Sequence, residues 1–257
     1  MILYFSGTGN SKYVAQRIAD ALGDEIVNLN DRIKSSDTSP VETGERLIVV
    51  TPTYAWELPE PVRKFLKNAQ FTAEGENYVF SVSTYGTTPG ASGAEIRHLL
   101  KQKGMRVHAL YSIRFPDTWT PIFDLRNAER NARINERAES AFDRVAAQIQ
   151  AETRGNHMQW PAPYFVRLFS HPSYEAMRRT AHFHVEESCI GCGLCAKNCP
   201  EQAIRMQAGK PVWVKEKCAA CLGCLHRCPK FAIQYGEKTK HHGQYLHPAV
   251  HETIKKK

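Results

Sequence analysis

Eight cysteines are the residues of this 257-residue chain with the clearest capacity for chemistry, and they lie in two short runs near its C-terminal end. Both runs, at residues 189–200 and 218–229, have the spacing C-x₂-C-x₂-C-x₃-C followed by proline. Three cysteines spaced three residues apart can wrap one side of a metal cluster within a short loop. Proline then turns the chain and suits a helix start, which leaves the fourth thiolate pointing at a neighbouring cluster.

Two structural zinc sites or a disulfide framework are the alternatives, because C-x₂-C pairs also bind zinc and an even cysteine count suggests bridges. A structural zinc site does not require third and fourth cysteines at this spacing in both runs. Residues 1–5 lead into a strand pattern without a basic region or a long apolar stretch, so we expect no signal peptide. A chain without a secretory signal belongs in a reducing compartment, where disulfides are rare.

The two runs resemble the cysteine motifs of the two-cluster bacterial ferredoxins, a resemblance that implies two 4Fe-4S clusters with crosswise ligation. The ligands implied for the first cluster are Cys189, Cys192, Cys195 and Cys228. Those implied for the second cluster are Cys218, Cys221, Cys224 and Cys199. The similarity between the runs extends past the ligands, since residues 200–204 mirror residues 229–233, and this indicates a duplicated half-domain.

A second candidate site lies at the other end of the chain, in the small residues 6–11. Residues 2–5 before them read as a buried strand, and Val14, Ile18 and Leu22 after them form one face of a helix. A strand, a loop of small residues and a helix N-terminus make an anion site, because free N–H groups and the helix dipole point at one spot. The loop is neither a dinucleotide fingerprint nor a Walker loop. The sequence predicts a phosphate site here, with an ordinary tight turn as the alternative.

The elements that position this loop alternate between strand and helix. Buried strands are predicted at residues 46–50, 77–82 and 106–113, and a long helix is predicted over residues 122–149. This alternation predicts an α/β fold with a doubly wound parallel sheet, whose ligand lies beyond the carboxyl ends of the strands where their order reverses. The loops after the first strands should therefore meet at one edge of the sheet.

Three of these loops together resemble the flavodoxin family, through S-G-T-G-N-S at 6–11, P-T-Y-A-W at 52–56 with L-P after it, and T-Y-G at 84–86. In that family the first loop binds the FMN phosphate and the other two sandwich the isoalloxazine ring. The implied phosphate contacts are Ser6, Gly7, Thr8, Gly9, Asn10 and Ser11. The implied ring contacts are Pro52, Thr53, Tyr54, Ala55, Trp56, Leu58, Ser83, Thr84, Tyr85 and Gly86, with Trp56 and Tyr85 stacking on the ring. The third loop departs from many short-chain flavodoxins, since it lacks their acidic and aromatic-rich character.

Over nearly its whole length the chain resembles flavodoxin–ferredoxin fusion proteins. The resemblance implies a flavodoxin-like FMN-binding domain at 1–150, a packed connector at 151–180, an α+β two-cluster bacterial ferredoxin domain at 181–236 and a basic C-terminal tail at 237–257. Aromatic residues in the connector argue for packing, because a floppy linker would be rich in Gly and Ser. A solvated tail is the simpler interpretation, although residues 243–248 resemble a terminal segment of the fusion proteins, which leaves docking of that part open.

Both implied groups are redox-active, since FMN passes one or two electrons and each cluster passes one. We expect an electron-transfer iron–sulfur flavoprotein that links a low-potential one-electron donor to a protein acceptor. The alternatives are a ferredoxin-dependent flavin oxidoreductase that reduces a small molecule, quinone or macrocycle at FMN, and a redox sensor, so enzymatic activity stays open. The chain has no dinucleotide fingerprint, which favours an external ferredoxin or a reductase as the partner over NAD(P)H.

The formal net charge of +8 overstates the charge of the loaded protein. Two oxidised clusters at about −2 each and a bound phosphate monoester would leave roughly +2 to +3. This weakens the case for nucleic-acid binding, and no nucleic-acid motif accompanies the basic residues. No stretch approaches the roughly 20 apolar residues of a membrane span, so we expect a cytoplasmic protein. The sequence does not indicate an oligomeric state.

Overall fold

A six-stranded parallel sheet forms the N-terminal half of the protein, whose computed structural model describes residues 1–72 and 77–250. The strands of this half are β1 (Ile2–Tyr4), β2 (Ile26–Asn28), β3 (Val41–Glu42), β4 (Arg46–Pro52), β5 (Phe71–Thr72), β6 (Tyr78–Tyr85), β7 (Ala109–Arg114) and β8 (Gly155–Asn156). Their order in the sheet is β2-β1-β4-β6-β7-β8, while β3 and β5 form a separate parallel pair. The order reverses between β1 and β4, which places the expected ligand site beyond the carboxyl ends of those two strands.

Helices cover both faces of the sheet. They are α1 (Asn10–Leu22), α2 (Leu29–Ser35), α3 (Glu60–Asn68), α4 (Ser92–Lys101) and α5 (Ala128–Gln150). Val14 of α1 and Phe142 of α5 pack into the core on one face, and Leu66 of α3 and Ile96 of α4 pack into the core on the other. The strands read as unbroken apolar runs because the helices bury both of their faces. The predicted doubly wound, flavodoxin-like fold is confirmed.

The long helix α5 begins at Ala128, six residues later than the apolar pattern predicts. Leu125 is buried although it precedes the helix, and its backbone N–H donates to the His242 carbonyl at 2.7 Å. The Asn127 side chain then caps the helix by accepting from the Arg130 N–H at 2.8 Å. The predicted start was wrong because a long-range hydrogen bond holds the backbone of Leu125, and Asn127 is a strong N-cap residue.

The C-terminal half is a small α+β unit with internal symmetry. A helix α6 (Arg167–Met177) leads into it, and its elements are β9 (Phe183–Val185), α7 (Leu194–Lys197), β10 (Ile204–Gln207), β11 (Lys210–Trp213), α8 (Gly223–His226) and β12 (Ile233–Tyr235). β9 pairs antiparallel with β12, and β10 pairs antiparallel with β11. Gln202 and Phe231, 29 residues apart, both have φ of 49°. The sequence repeat is therefore also a repeat of backbone conformation.

The connector packs against both halves through its C-terminal part. Tyr174 is fully buried, and its hydroxyl donates to the Ala219 carbonyl at 3.3 Å and accepts from the Glu60 N–H at 3.1 Å. Arg178 and Cys218 exchange hydrogen bonds between the connector and the second cysteine run. These contacts hold the second run against the sheet domain.

The tail, as far as residue 250, returns to the first loop of the sheet domain. The His247 N–H donates to the Thr8 carbonyl at 3.0 Å, and the ring of His247 stacks on Tyr13 with centroids 4.0 Å apart. The Tyr245 hydroxyl contacts the Asn10 side chain at 3.1 Å. This part of the tail is docked rather than solvated, and burial lowers the pKa of His247 to about 4. In the described part of the chain, no helix has the length and hydropathy needed to cross a membrane.

Candidate cofactor and metal sites

A cavity of about 470 Å³ lies at the carboxyl ends of β1, β4 and β6 and is called the central cavity here. Its volume is in the usual range for small-molecule and cofactor sites. Thirteen of the sixteen residues predicted to contact FMN line it: Ser6, Gly7, Thr8, Asn10, Ser11, Pro52, Thr53, Tyr54, Ala55, Trp56, Thr84, Tyr85 and Gly86. Gly9, Leu58 and Ser83 lie behind its wall. Leu58 and Ser83 are fully buried, and Gly9 precedes α1 with φ of 105°.

The first loop is held in a shape suited to an anion. The Ser6 hydroxyl accepts from the Gly9 N–H at 3.1 Å, and the Ser11 hydroxyl contacts the Thr84 hydroxyl at 2.8 Å. The side chain of Asn30 bonds both the N–H and the carbonyl of Ser6. The loop ends at the N-terminus of the 13-residue helix α1, where free N–H groups and the dipole favour negative charge. These donors fit a phosphate group.

The second loop is strained where it borders the cavity. Ala55 and Trp56 have φ of 47° and 65°, which is uncommon for residues other than glycine. The Trp56 carbonyl accepts from the Ala91 N–H at 2.8 Å and packs on Gly90, where a Cβ would overlap it. Strain of this kind persists only where the surroundings enforce it, and it concentrates at ligand sites. The conformation presents the Trp56 side chain, 47% exposed, at the wall of the cavity.

A buried ion network holds this second loop from behind. Glu57 is fully buried, with Arg63 at 3.0 Å, Ser170 at 2.7 Å and His171 at 3.1 Å from its carboxylate. Glu95 is 1% exposed, and its carboxylate accepts hydrogen bonds from the Leu58 N–H and the Arg63 guanidinium. Burial raises the pKa of Glu95, and Arg63 opposes that rise. The network joins the second loop to α3, α4 and α6.

The other half of the cavity wall comes from residues that were not among the predicted FMN contacts. They are Thr87, Thr88, Pro116, Asp117, Thr118, Trp119, Ile122, Phe123, Ser173, Met177, Ala220, Cys221 and Leu222. Asp117 lies against Gly86, and its carboxylate accepts from the Trp119 N–H at 3.0 Å. Burial raises the pKa of Asp117 despite the nearby Arg114 guanidinium. In the sequence, residues 114–119 follow the strand predicted at 106–113, a position that predicts contact with the ring or a substrate and equally allows a simple Pro-Asp turn.

The eight cysteines are free thiols, and the fold sorts them into two sets of four. Cys189, Cys192, Cys195 and Cys228 line one cavity, and Cys199, Cys218, Cys221 and Cys224 line another. These are the sets that the crosswise interpretation predicts. In residues 1–72 and 77–250, no three His, Cys, Asp or Glu side chains converge closely enough to hold a single metal ion.

The surroundings of the thiols suit iron–sulfur clusters. The N–H groups of Ala203 and Ala232 point at the sulfurs of Cys199 and Cys228, each at 3.2 Å, and such hydrogen bonds stabilise cluster thiolates. Burial raises the pKa of Cys221 to about 11 and that of Cys224 well above its usual value. Bound iron would supply the positive charge that these buried thiolates need. Four soft thiolate ligands in each set fit a 4Fe-4S cluster.

The two sets differ in their distance from the central cavity. Cys221 lines both the second thiol cavity and the central cavity. The first set opens instead toward the protein surface, where Cys192 is exposed and Ile190 is 59% exposed. The second thiol set therefore lies between the first thiol set and the central cavity.

Gly7 is the closest point between the first loop and the second cysteine run. A Cβ at Gly7 would lie 2.7 Å from the Tyr54 hydroxyl and 2.9 Å from the Cys221 carbonyl. The Arg227 guanidinium donates to the Gly7 carbonyl, and Arg227 is partly buried near Cys221 and Cys224. Only glycine allows the two chain segments to approach this closely.

We expect Gly7→Ala to cost about 1–3 kcal/mol of the free energy of unfolding, because the added methyl overpacks this contact. Urea unfolding of the loaded protein measures the loss. In a Tyr54→Phe background, Gly7→Ala should cost less free energy of unfolding, since the contact with the Tyr54 hydroxyl is gone. Equal costs in both backgrounds would show that the Tyr54 hydroxyl does not limit the space at Gly7.

Comparison with family models identifies both halves of the chain. A model described as a flavodoxin domain matches residues 1–139, and one described as a 4Fe-4S dicluster domain matches residues 182–229. No curated protein sequence matches the chain.

Several solved structures resemble the N-terminal half. A flavodoxin of Streptococcus pneumonia TIGR4 is 17% identical, with 56% of this chain and 97% of that chain covered and a TM-score of 0.33. The Trp repressor binding protein of Bacillus subtilis is 12% identical, with 55% and 94% covered and a TM-score of 0.34. An FMN-dependent NADH-azoreductase of Bacillus anthracis is 9% identical, with 58% and 97% covered and a TM-score of 0.38.

Proposed function

This chain belongs to the flavodoxin family and carries a 4Fe-4S dicluster domain after its flavodoxin domain, and from that premise we propose that it transfers electrons between two 4Fe-4S clusters and one FMN. When bound, each cluster carries one electron at a time and FMN carries one or two. The protein would link a low-potential one-electron donor to a protein acceptor in the cytoplasm. The observation that carries the proposal is the position of Cys221, which lies in the wall of both the second thiol cavity and the central cavity.

Different residues around the central cavity would bind the phosphate and the ring of FMN. Ser6, Thr8 and Ser11 would hold the phosphate at the N-terminus of α1, and Trp56 and Tyr85 would contact the ring. Tyr85 is held by a hydrogen bond from its hydroxyl to Gln159 at 2.9 Å. The 116–123 segment and α6 complete the wall of the cavity and would border the ring when FMN is bound. Arg227 places a partly buried positive charge between the second thiol set and the first loop.

The exposed first thiol set is where we expect a protein donor, such as an external ferredoxin or a reductase, to bind. Cys192 is the exposed ligand of that set. The alternative is a ferredoxin-dependent reductase of a small molecule, and the observation that favours it is the exposure of Trp56 (47%) and Ile122 (68%) at the wall of the central cavity.

The test is an anaerobic count of iron, sulfide and FMN in the purified protein, followed by reduction of the clusters while the flavin absorbance is recorded. We expect about eight iron atoms and one FMN, with the flavin bleaching as the clusters deliver electrons. Clusters and flavin that titrate independently, without transfer on mixing, would contradict the proposal.

Asp117 is positioned to hold a proton beside the flavin. Its pKa is raised by burial, so its negative charge appears only at a pH above the usual value of 3.8 for a carboxyl. Below its pKa the side chain is neutral and Asp117→Asn should leave the flavin potential unchanged. Above its pKa the negative carboxylate disfavours reduction of the flavin. The wild-type flavin potential should then fall by up to about 59 mV per pH unit for a one-electron step. The Asp117→Asn variant should lack this pH-dependent fall.

Spectroelectrochemistry of the flavin across pH measures this difference. Titration of the Asp117 carboxyl by NMR in the protein without FMN provides a readout that does not involve the flavin. Parallel potential curves for wild type and Asp117→Asn over the whole pH range would exclude this role for Asp117.

A further inference from the structure

The connector carries a cluster of exposed apolar side chains, which we call the connector patch. Its members are Trp160 (83% exposed), Tyr164 (41%), Phe165 (59%), Leu168 (72%) and Phe169 (78%). Single exposed apolar residues are common on protein surfaces, but five large ones within ten residues are unusual, and clusters of exposed apolar side chains mark binding surfaces. The sequence favoured a packed connector because of these aromatics, yet the structure leaves them in solvent.

The patch is not needed to hold the connector in place. Helix α6 is fixed from its other side, where Ser170 donates to the buried Glu57 at 2.7 Å and Tyr174 donates to the Ala219 carbonyl. Leu168 and Phe169 of the same helix are 72% and 78% exposed. The outward face of α6 is therefore apolar where a surface helix is normally polar.

Basic residues border the patch, and acidic residues are missing from the sequence around it. Residues 153–174 and 96–116 contain no Asp or Glu. The ring of Tyr164 stacks on His98 of α4 with centroids 4.5 Å apart, and the Ala162 N–H donates to the Gly90 carbonyl before α4. Next to His98, α4 and the turn after it expose Arg97, Lys101, Lys103 and Arg106. The patch and the basic face of α4 are thus neighbours.

We propose that the connector patch docks this protein onto an anionic lipid bilayer surface. Protruding Trp, Phe and Leu side chains beside Lys and Arg are the features of interfacial membrane anchors, which bury the apolar residues at the headgroup boundary while the cations meet anionic lipids. A second copy of the chain fits less well, because a symmetric pairing of patches would bring the two basic α4 faces together. This proposal does not depend on the redox assignment.

The test is flotation of the full-length protein with vesicles of phosphatidylcholine alone or of phosphatidylcholine with phosphatidylglycerol. We expect binding to the anionic vesicles, a blue shift of tryptophan fluorescence and loss of binding at high salt. The triple variant Phe165→Ser, Leu168→Ser, Phe169→Ser should bind at least about a hundredfold more weakly, since three buried apolar side chains are lost. Arg97→Glu with Lys101→Glu should remove the preference for anionic lipid.

The matched control is Val212→Ser with Val214→Ser, which removes exposed apolar side chains in the C-terminal half, at 37% and 41% exposure. It should bind vesicles like the wild type. No binding to either vesicle, or equal binding by the triple variant, would overturn the proposal. A wild-type dimer that the triple variant converts to a monomer in light scattering would assign the patch to a second copy instead.

Discussion

Replacing Cys221 by alanine should leave FMN bound but stop its reduction by the clusters. Cys221 is the thiol that borders both the second thiol cavity and the central cavity, so its loss removes the cluster nearest the flavin. We expect about four iron atoms per chain instead of about eight, because the first set of cysteines is intact. The measurement is stopped-flow reduction by a low-potential donor, with the flavin absorbance as the readout.

Cys192→Ala is the matched control, because it also removes one cluster ligand but belongs to the exposed first set. It should lower the iron content by the same amount. A small chemical reductant that reaches the second cluster directly should still reduce the flavin in Cys192→Ala. If both variants lost flavin reduction equally, the order of sites inferred from the fold would be wrong.

Replacing Glu57 by glutamine should cost about 3 kcal/mol of the free energy of unfolding. Removing one partner of a buried ion network leaves the other charges uncompensated, and such losses are typically 3–5 kcal/mol. The amide of glutamine would also turn donor groups toward Arg63 or His171, which are themselves donors. Because the adjacent Trp56 is held in a strained conformation, FMN affinity should fall as well.

Glu129→Gln makes the same change in an exposed pair, where Glu129 and Arg133 are 3.8 Å apart and their side chains are 88% and 61% exposed. It should change the free energy of unfolding by less than about 0.5 kcal/mol. Urea unfolding of both variants and FMN titration decide the comparison. A Glu57→Gln variant as stable as Glu129→Gln would mean that the network does not hold the second loop.

Local sequence signals were sufficient to predict the parallel sheet and the loop residues at the carboxyl ends of its strands. The apolar runs of β1, β4 and β6 are read correctly because helices bury both faces of each strand, so no alternation obscures them. The small residues at 6–11 predict the anion loop because glycine and hydroxyl side chains are needed there by backbone geometry. The cysteine spacing predicts two sets of four, and the structure gathers the same sets around two cavities.

Where the prediction was wrong, a long-range contact decided the structure. The segment before α5 carries helical apolar spacing, but the Leu125 N–H donates to the His242 carbonyl of the tail and Leu125 precedes the helix. The wall residue Met177 gave no signal of its own, because it reaches the central cavity from an element far away in sequence.

The sequence by itself determined the two cofactor-binding units of this protein, because ligand spacing and loop composition are local properties of short segments. Only the tertiary structure decided how the units are joined: Gly7 against Cys221, Arg227 against the first loop, and the tail over Thr8. It also decided that Trp160, Phe165 and Phe169 of the connector face outward while Tyr174 is buried. Such contacts link residues more than 150 positions apart in some cases, and they depend on which surfaces meet after folding, which no local pattern encodes.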